Sequence, residues 1–178
     1  MDKTEHARKA LPEAVLAAWP HMTGMELVRA MSEGRVPYAD PSLYALLGLR
    51  ISAVEGPGRV SVVWEPTHAL QNFGGTVHGG YLALFFDEVC CAAGASHCER
   101  AYPMLTMHLD IDFAKEVHPE RAYAGKAEVV HRGKQRMIIN SSLSDPGGAL
   151  VAQATAILQP NLAIADNLNA LDRTRSAC

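Results

Sequence analysis

The stretch Asn72-Phe-Gly-Gly-Thr-Val-His78-Gly79-Gly80-Tyr-Leu-Ala-Leu-Phe-Phe-Asp87 decides how the rest of this chain folds. Its glycine-rich loop leads into the most apolar run of the chain, from Tyr81 to Ala95, which is interrupted only by two acids and one glycine. Because the run has no polar stripe at a period of 3.6 residues, it predicts a helix that is buried on nearly all sides. A carboxylate inside such a helix is costly to bury without a partner, so Asp87 is the first candidate for a functional residue.

Length and composition indicate a single globular domain. The chain has 178 residues, of which 48% are hydrophobic and 20% charged, enough to bury most of its apolar surface. The net charge of −3 argues against nucleic acid or an anionic membrane as a partner. The N-terminus is charged and lacks an apolar secretory segment, and the longest apolar run is too short to span a bilayer. We therefore expect a cytoplasmic protein, with Cys90 and Cys91 as reduced, small core residues.

The two ends of the chain differ from its middle. Residues 1–48 are predicted to be a helical N-terminal extension, and residues 161–178 a C-terminal tail with at most a short helix near Asn167–Leu171. Three short helices are predicted in the extension: one opening at Leu11, one capped by Thr23 and ended by Gly34, and one over Pro41–Leu47.

From Arg50 the hydrophobic pattern changes to a period of two, which indicates strands. Short turns join most neighbouring strands and favour an antiparallel sheet. The long helix follows the second strand, and it can be buried only if the sheet curls around it. The predicted class is α+β, with one main domain over residues 49–160. Its predicted strands are Ile51–Val54, Arg59–Trp64, Met104–Phe113, Ala122–His131, Arg136–Ser144 and Ala149–Gln159.

Several motifs together resemble the hotdog-fold acyl-CoA thioesterases of the phenylacetate-degradation and 4-hydroxybenzoyl-CoA type. They are Asn72, the triplet His78-Gly79-Gly80, Asp87 nine residues after that histidine, and a Gly-Lys turn at Gly133. The resemblance covers roughly residues 49–160. It implies a curled sheet wrapped around the helix and hydrolysis of the thioester between coenzyme A and a small acyl or aryl group. It also implies that no metal or organic cofactor is needed.

Thioester hydrolysis needs a base or nucleophile near the carbonyl carbon and a hydrogen-bond donor for the carbonyl oxygen. The resemblance implies that Asp87 is the general base or the nucleophile and that the Gly79 N–H polarises the carbonyl. The N–H groups of a first helical turn have no partner within the helix, and a glycine lets the substrate approach the backbone. Glu88 lies about 100° further round the helix, so we expect it to be structural or at the rim of the site.

The remaining candidates come from loops and later strands. The resemblance places Asn72 and His78 near the thioester, although a histidine at a helix start can equally be a cap. It also implies that Thr106 orients the attacking water. Around the Gly133 turn, Arg132 and Lys134 are expected to bind the phosphates of coenzyme A, and charge needed only for solubility is the alternative.

The strand over Met104–Phe113 carries a polar alternation that resembles a metal site. A period of two places Thr106, His108, Asp110 and Asp112 on one predicted face. We interpret this face as solvated or as an interface rather than as a metal site. The chain also lacks the motifs of serine hydrolases, zinc hydrolases and nucleotide-binding folds.

Helix geometry predicts a dimer once Gly79 and Asp87 have the roles that the resemblance implies. Gly79 and Asp87 are eight residues apart, which is roughly 12 Å along a helix, so one helix cannot bring both to a single reacting group. Two antiparallel helices related by a two-fold axis would place Gly79 of one chain opposite Asp87 of the other. The resemblance further implies a homotetramer built from two dimers.

Two other functions remain open at this stage. A hotdog domain can bind acyl-CoA without turnover, but such a sensor has no need for the acid at position 87. An enoyl-CoA hydratase would need an aspartate and a histidine in one site.

Overall fold

The computed structural model describes residues 21–37 and 41–162 of the chain. The helix predicted near Leu11 and the one predicted near Asn167–Leu171 lie outside these residues. None of the helices in the described ranges is both long and apolar enough to cross a membrane. The described elements are helix α1 (Gly24–Ser32), helix α2 (Pro41–Leu47), strands β1 (Leu49–Gly56) and β2 (Arg59–Trp64), a 3₁₀ turn (His68–Leu70), helix α3 (Gly79–His97), and strands β3 (Met104–Phe113), β4 (Tyr123–Arg132), β5 (Met137–Ser144) and β6 (Leu150–Pro160).

The six strands form one antiparallel sheet in the order β1-β2-β4-β5-β6-β3. Helix α3 contacts all six of them, which requires the sheet to curl around the helix. The predicted α+β architecture, a curled antiparallel sheet wrapped around one long helix, is therefore confirmed. The predicted strands agree with the observed ones to within one residue at most ends, and β1 is longer than expected at both ends.

Aromatic packing holds α3 against the sheet. The ring of Phe85 on α3 stacks on Trp64 of β2, with the ring centroids 4.7 Å apart, and both side chains are fully buried. A Cβ atom at Gly125 of β4 would lie only 2.6 Å from the Phe85 ring. A glycine is needed there because the helix approaches the strand too closely for any side chain. Alanine at this position would push Phe85 out of its packed position.

The described part of the extension packs onto the main domain. The Trp64 indole Nε1 donates to the Leu47 carbonyl oxygen at 2.8 Å. Gly48, with φ of 69°, turns the chain from α2 into β1. Thr23 caps α1 in a reciprocal capping box with Glu26, as the sequence predicts. The predicted boundary at residue 48 stays a prediction, and these contacts join the residues on either side of it.

One face of α3 is open in the single chain. The residues at 80, 84, 87, 91 and 95 recur at intervals of three or four, so they form a stripe along the helix, and each of them is half-buried or exposed. The prediction that α3 is buried on nearly all sides is wrong for this stripe. The sheet does not close, because β1 and β3 are its two free edges. The sequence does not predict this open face, because every residue of the stripe except Asp87 is apolar or glycine.

The predicted faces of β3 are wrong for Thr106 but correct for Asp110 and Asp112. A β-bulge lies between Thr106 and His108, where the register with β6 shifts by one residue and leaves Met107 unpaired. The bulge turns Thr106 toward α3, whereas Asp110 and Asp112 stay on the outward face. A strict period of two cannot predict this outcome, because one extra residue moves every later side chain to the opposite face.

Candidate active site

Asp87 lies on the open stripe of α3 and is hydrogen-bonded to β3. The Thr106 Oγ1 hydroxyl donates to Asp87 Oδ1 at 2.6 Å. The threonine proton therefore points toward the aspartate. The bulge at Met107 makes this contact possible, because without it Thr106 could not face the helix while Leu109 and Ile111 also pack on the core. The described structure thus joins two of the predicted site residues directly.

Cys91 adds a third group to this contact. It lies one turn after Asp87 on the same face of α3, and its Sγ atom is 3.6 Å from Thr106 Oγ1. Burial raises the pKa of the Cys91 thiol to about 12, and the neighbouring charge of Asp87 adds to the effect. The thiol is therefore protonated at neutral pH. The sequence analysis missed this residue, although its spacing of four from Asp87 is a usable signal.

Glu88 is held by the extension rather than by β3. Its carboxylate accepts a short hydrogen bond from the Tyr44 hydroxyl of α2. Burial raises the pKa of Glu88, the Tyr44 hydrogen bond partly offsets the rise, and the charge of Asp87 adds slightly to it. The prediction that only one of the two adjacent acids points into a given site agrees with this arrangement, because Thr106 and Tyr44 come from different elements.

We expect Glu88→Gln to stabilise the protein more at neutral than at acid pH. The pKa of Glu88 is raised in the folded state, so protonated Glu88 contributes its full stability at pH values below the unfolded-state pKa. This contribution is lost as the pH rises through the folded-state pKa. Glutamine cannot ionise and still accepts from Tyr44. Thermal melts at about pH 5 and pH 8 should show a gain of about 2 °C or more at the higher pH only. The matched control is Glu128→Gln on the exposed face of β4. An equal gain at both pH values would contradict the expectation.

The helix start presents the second part of the site. His78 is the N-cap residue of α3, with φ −63° and ψ 135°, and its ring makes no capping hydrogen bond and is exposed. Its backbone N–H donates to the Leu70 carbonyl oxygen at 2.9 Å, which anchors the loop. Gly79 follows as the first helical residue and is exposed, so its N–H is available to a ligand.

Asn72 closes the loop before the helix. Its Oδ1 accepts from the Gly74 N–H at 2.8 Å, and its Nδ2 donates to Thr76 Oγ1 at 2.9 Å. Both ends of the amide therefore hold the loop in shape. Its predicted role near the thioester stays a prediction.

A cavity of about 390 Å³ lies beside the helix start. Its lining is mainly apolar and contains two charged residues, Lys115 and Glu116. Its lining includes Thr76, Gly79, Leu82, Phe113, Lys115 and Val117. A ligand in this cavity would contact the Gly79 backbone directly.

The predicted coenzyme A turn forms the hairpin between β4 and β5. Gly133 N–H donates to the Arg136 carbonyl oxygen at 2.8 Å and closes the turn. A cavity of about 480 Å³ beside it is lined by Lys134 and Arg136 among others, and the sequence analysis missed Arg136. The hairpin lies near the C-terminal end of α3, because the charge of Arg132 acts on Cys98, the C-cap residue of the helix. Burial raises the pKa of Cys98, and the Arg132 charge partly offsets the rise. Gly79 is at the opposite end of this 19-residue helix, about 27 Å away.

The outward face of the sheet carries a separate polar groove of about 510 Å³. Asp110 and Asp112 line it, and Asp112 accepts from the Gln153 amide at 3.0 Å. Within residues 21–37 and 41–162, no three His, Cys, Asp or Glu side chains are grouped as metal ligands would be. The groove lies on the opposite side of the sheet from Asp87, so it is not part of the candidate site.

Within one chain, the predicted residues therefore fall into three places. Asp87 and Thr106 are in contact at the middle of α3. Gly79, His78 and Asn72 lie at its N-terminal end, and the basic hairpin lies at its C-terminal end. No single chain brings these three places together.

Comparisons with known proteins agree with this architecture. The family model described as the thioesterase superfamily matches residues 74–152, which include α3 and β3 to β5. No curated protein matches the chain. Together with the solved structures below, the family match confirms the predicted class, a thioester hydrolase with the hotdog fold.

Three solved structures illustrate the likeness. A putative thioesterase from Ralstonia eutropha JMP134, described as phenylacetic acid degradation-related, is 28% identical over 74% of this chain and 98% of its own, with a TM-score of 0.66. A thioesterase family protein from Silicibacter pomeroyi is 28% identical over 76% and 96%, with a TM-score of 0.64. The PaaI protein of E. coli, from the phenylacetic acid degradation operon, shares the fold at 20% identity over 80% and 95%, with a TM-score of 0.65. The predicted resemblance to the phenylacetate-degradation type is thus confirmed.

Proposed function

We propose that this protein hydrolyses a small acyl- or aryl-CoA to the free acid and coenzyme A, with Asp87 as the group that activates water or attacks the carbonyl. The observation that carries the proposal is the 2.6 Å hydrogen bond from Thr106 to Asp87 on the open stripe of α3. It occupies one carboxylate oxygen and leaves the other to act on a water or on the thioester. Two similar folds, from Streptococcus pneumoniae and Streptococcus mutans, are described with coenzyme A and acetyl-CoA respectively, which supports the choice of substrate.

The carbonyl oxygen would be polarised by the Gly79 N–H of a second chain. The first-turn N–H groups carry the positive end of the helix dipole, which favours the negative charge that develops on the oxygen. Asn72 and His78 hold the loop and the helix start in place, and their contact with the thioester is part of this proposal.

A homodimer is the smallest unit that completes this site. In one chain the apolar stripe of α3 is open, and the free edge strand β3 presents exposed Leu105, Met107 and Phe113. An open apolar stripe beside an unpaired strand edge is a surface that a second copy can cover. The antiparallel pairing puts Gly79 of one chain opposite Asp87 of the other. The expected homotetramer would be a pair of such dimers, and light scattering can test it against the 19.2 kDa chain mass.

The same pairing brings the basic hairpin to the site. His97 follows Asp87 by ten residues, so the hairpin end of the chain that supplies Asp87 lies about 15 Å from the opposing Gly79. The pantetheine arm of coenzyme A can cover that span. Arg132, Gly133 and Lys134 would then meet the phosphates of the same substrate.

We expect Arg132→Ala and Lys134→Ala each to raise KM for acyl-CoA by about tenfold and to leave kcat nearly unchanged. Loss of a contact made equally in the ground state and the transition state affects only binding. A short acyl thioester without the nucleotide should show no such rise. Lys126→Ala, which removes an exposed cation on the outward sheet face, is the control. Equal effects on both substrates would instead point to a folding defect.

The experiment that tests the function is free-thiol release from a panel of acyl- and aryl-CoAs. Thiol release supports a thioesterase, whereas binding without release would indicate a sensor. Loss of enoyl absorbance without thiol release would indicate a hydratase, although the hydrogen bond that the structure gives Asp87 is to Thr106 and not to a histidine. The expected cytoplasmic location also stays a proposal, which cell fractionation can test.

A further inference from the structure

The contact between Cys91 and Thr106 assigns a role to a thiol on the open stripe of α3. Cys91 Sγ is 3.6 Å from Thr106 Oγ1, and Thr106 Oγ1 is 2.6 Å from Asp87 Oδ1. All three groups lie between α3 and the bulged part of β3, where the bulge turns the threonine inward. Bulges next to active sites commonly serve to aim a side chain in this way.

Hydrogen-bond counting fixes the direction of this chain of contacts. Thr106 has one hydroxyl proton, which it donates to Asp87 Oδ1. The threonine therefore meets the cysteine with a lone pair, so the thiol must be the donor. Burial keeps the Cys91 thiol protonated, since its pKa is raised to about 12. Cys91 therefore donates its S–H to Thr106, and Thr106 donates its O–H to Asp87.

We propose that Cys91 is a positioning residue for the hydrolysis: it donates its S–H to Thr106 and holds the threonine proton on Asp87. This inference rests on the proposed function, in which Asp87 acts on the thioester. Without the thiol, the Thr106 hydroxyl can rotate away and donate to water. Asp87 would then lose part of the hydrogen bond that orients its free oxygen.

Cys91→Ala should lower kcat by about three- to tenfold with KM unchanged, the size expected for one neutral hydrogen bond. Cys91→Ser retains a donor of similar size, so it should recover most of the activity. Melting temperatures show whether each variant is folded.

A double-mutant cycle separates positioning from packing. In a Thr106→Val background, whose residual activity is measured first, Cys91→Ala should cause no further loss, because the group through which the thiol acts is gone. A packing role would lower activity by the same factor in both backgrounds. Equal losses for the alanine and serine variants, or additive effects in the cycle, would overturn the proposal. If Asp87→Asn is inactive while the Cys91 variants behave like wild type, only this inference fails and the proposed function stands.

Discussion

Asp87→Asn is expected to lower kcat by about a thousandfold or more while the protein stays folded. The loss follows because an amide can neither take a proton from water nor attack a thioester, and general-base catalysis contributes about 10²- to 10⁴-fold. The fold should survive because asparagine has the same shape and its Oδ1 can still accept from Thr106. Removing a charge from a half-buried position can even raise the melting temperature slightly. Thiol release and a thermal melt measure the two effects.

Glu88→Gln is the matched control for this substitution. It makes the same chemical change one residue further along α3, at a carboxylate that Tyr44 holds from the other side. Its turnover should stay within a few-fold of wild type. Wild-type-like turnover in Asp87→Asn would remove Asp87 from the reaction, and a comparable loss in both variants would indicate a general effect of charge on α3.

Two inactive variants should restore activity when they share a dimer. Asp87→Asn removes the acid, and Gly79→Pro removes the N–H that is proposed to bind the carbonyl oxygen. If the two are unfolded together and refolded as an equal mixture, about half of the dimers are mixed. Each mixed dimer holds one intact site and one doubly damaged site. Activity should therefore return to about a quarter of the wild-type value per subunit.

The structure shows why Gly79→Pro should fold. Gly79 is the first helical residue, where proline is tolerated because its N–H has no partner within the helix. The residue before it, His78, has φ −63° and ψ 135°, an extended conformation that proline favours in its predecessor. A Cβ atom at Gly79 would be 3.8 Å from the Phe113 ring, an ordinary contact. Gly79→Ala keeps the N–H and serves as the control, so it should be more active than Gly79→Pro.

The outcome of the mixing experiment decides where the two groups act. Recovery near a quarter supports a site shared between two chains. No recovery, in a sample where mass spectrometry confirms mixed dimers, would place the acid and the N–H in the same chain. That result would contradict the antiparallel arrangement of the two α3 helices.

Local patterns in the sequence were sufficient to predict the strands, the long helix and the class of protein. The period of two with short turns gave antiparallel strands, and the apolar run after His78-Gly79-Gly80 gave α3, because both depend on interactions between near neighbours. The spacing of Gly79 and Asp87 along one helix was also enough to predict a shared site. The motif from Asn72 to Asp87 supplied the resemblance that the comparisons confirmed.

Only the tertiary structure decided which side chains meet. The bulge at Met107 depends on how β3 pairs with β6, and it moves Thr106 from the outward face to Asp87. The partners Cys91 and Tyr44 come from the packing of α3 against β3 and α2, and no local pattern encodes contacts between residues 15 and 44 positions apart. The open stripe on α3 likewise follows from a sheet that ends at β1 and β3 without closing. Register, packing and closure are long-range properties, so the chain must be folded before they can be seen.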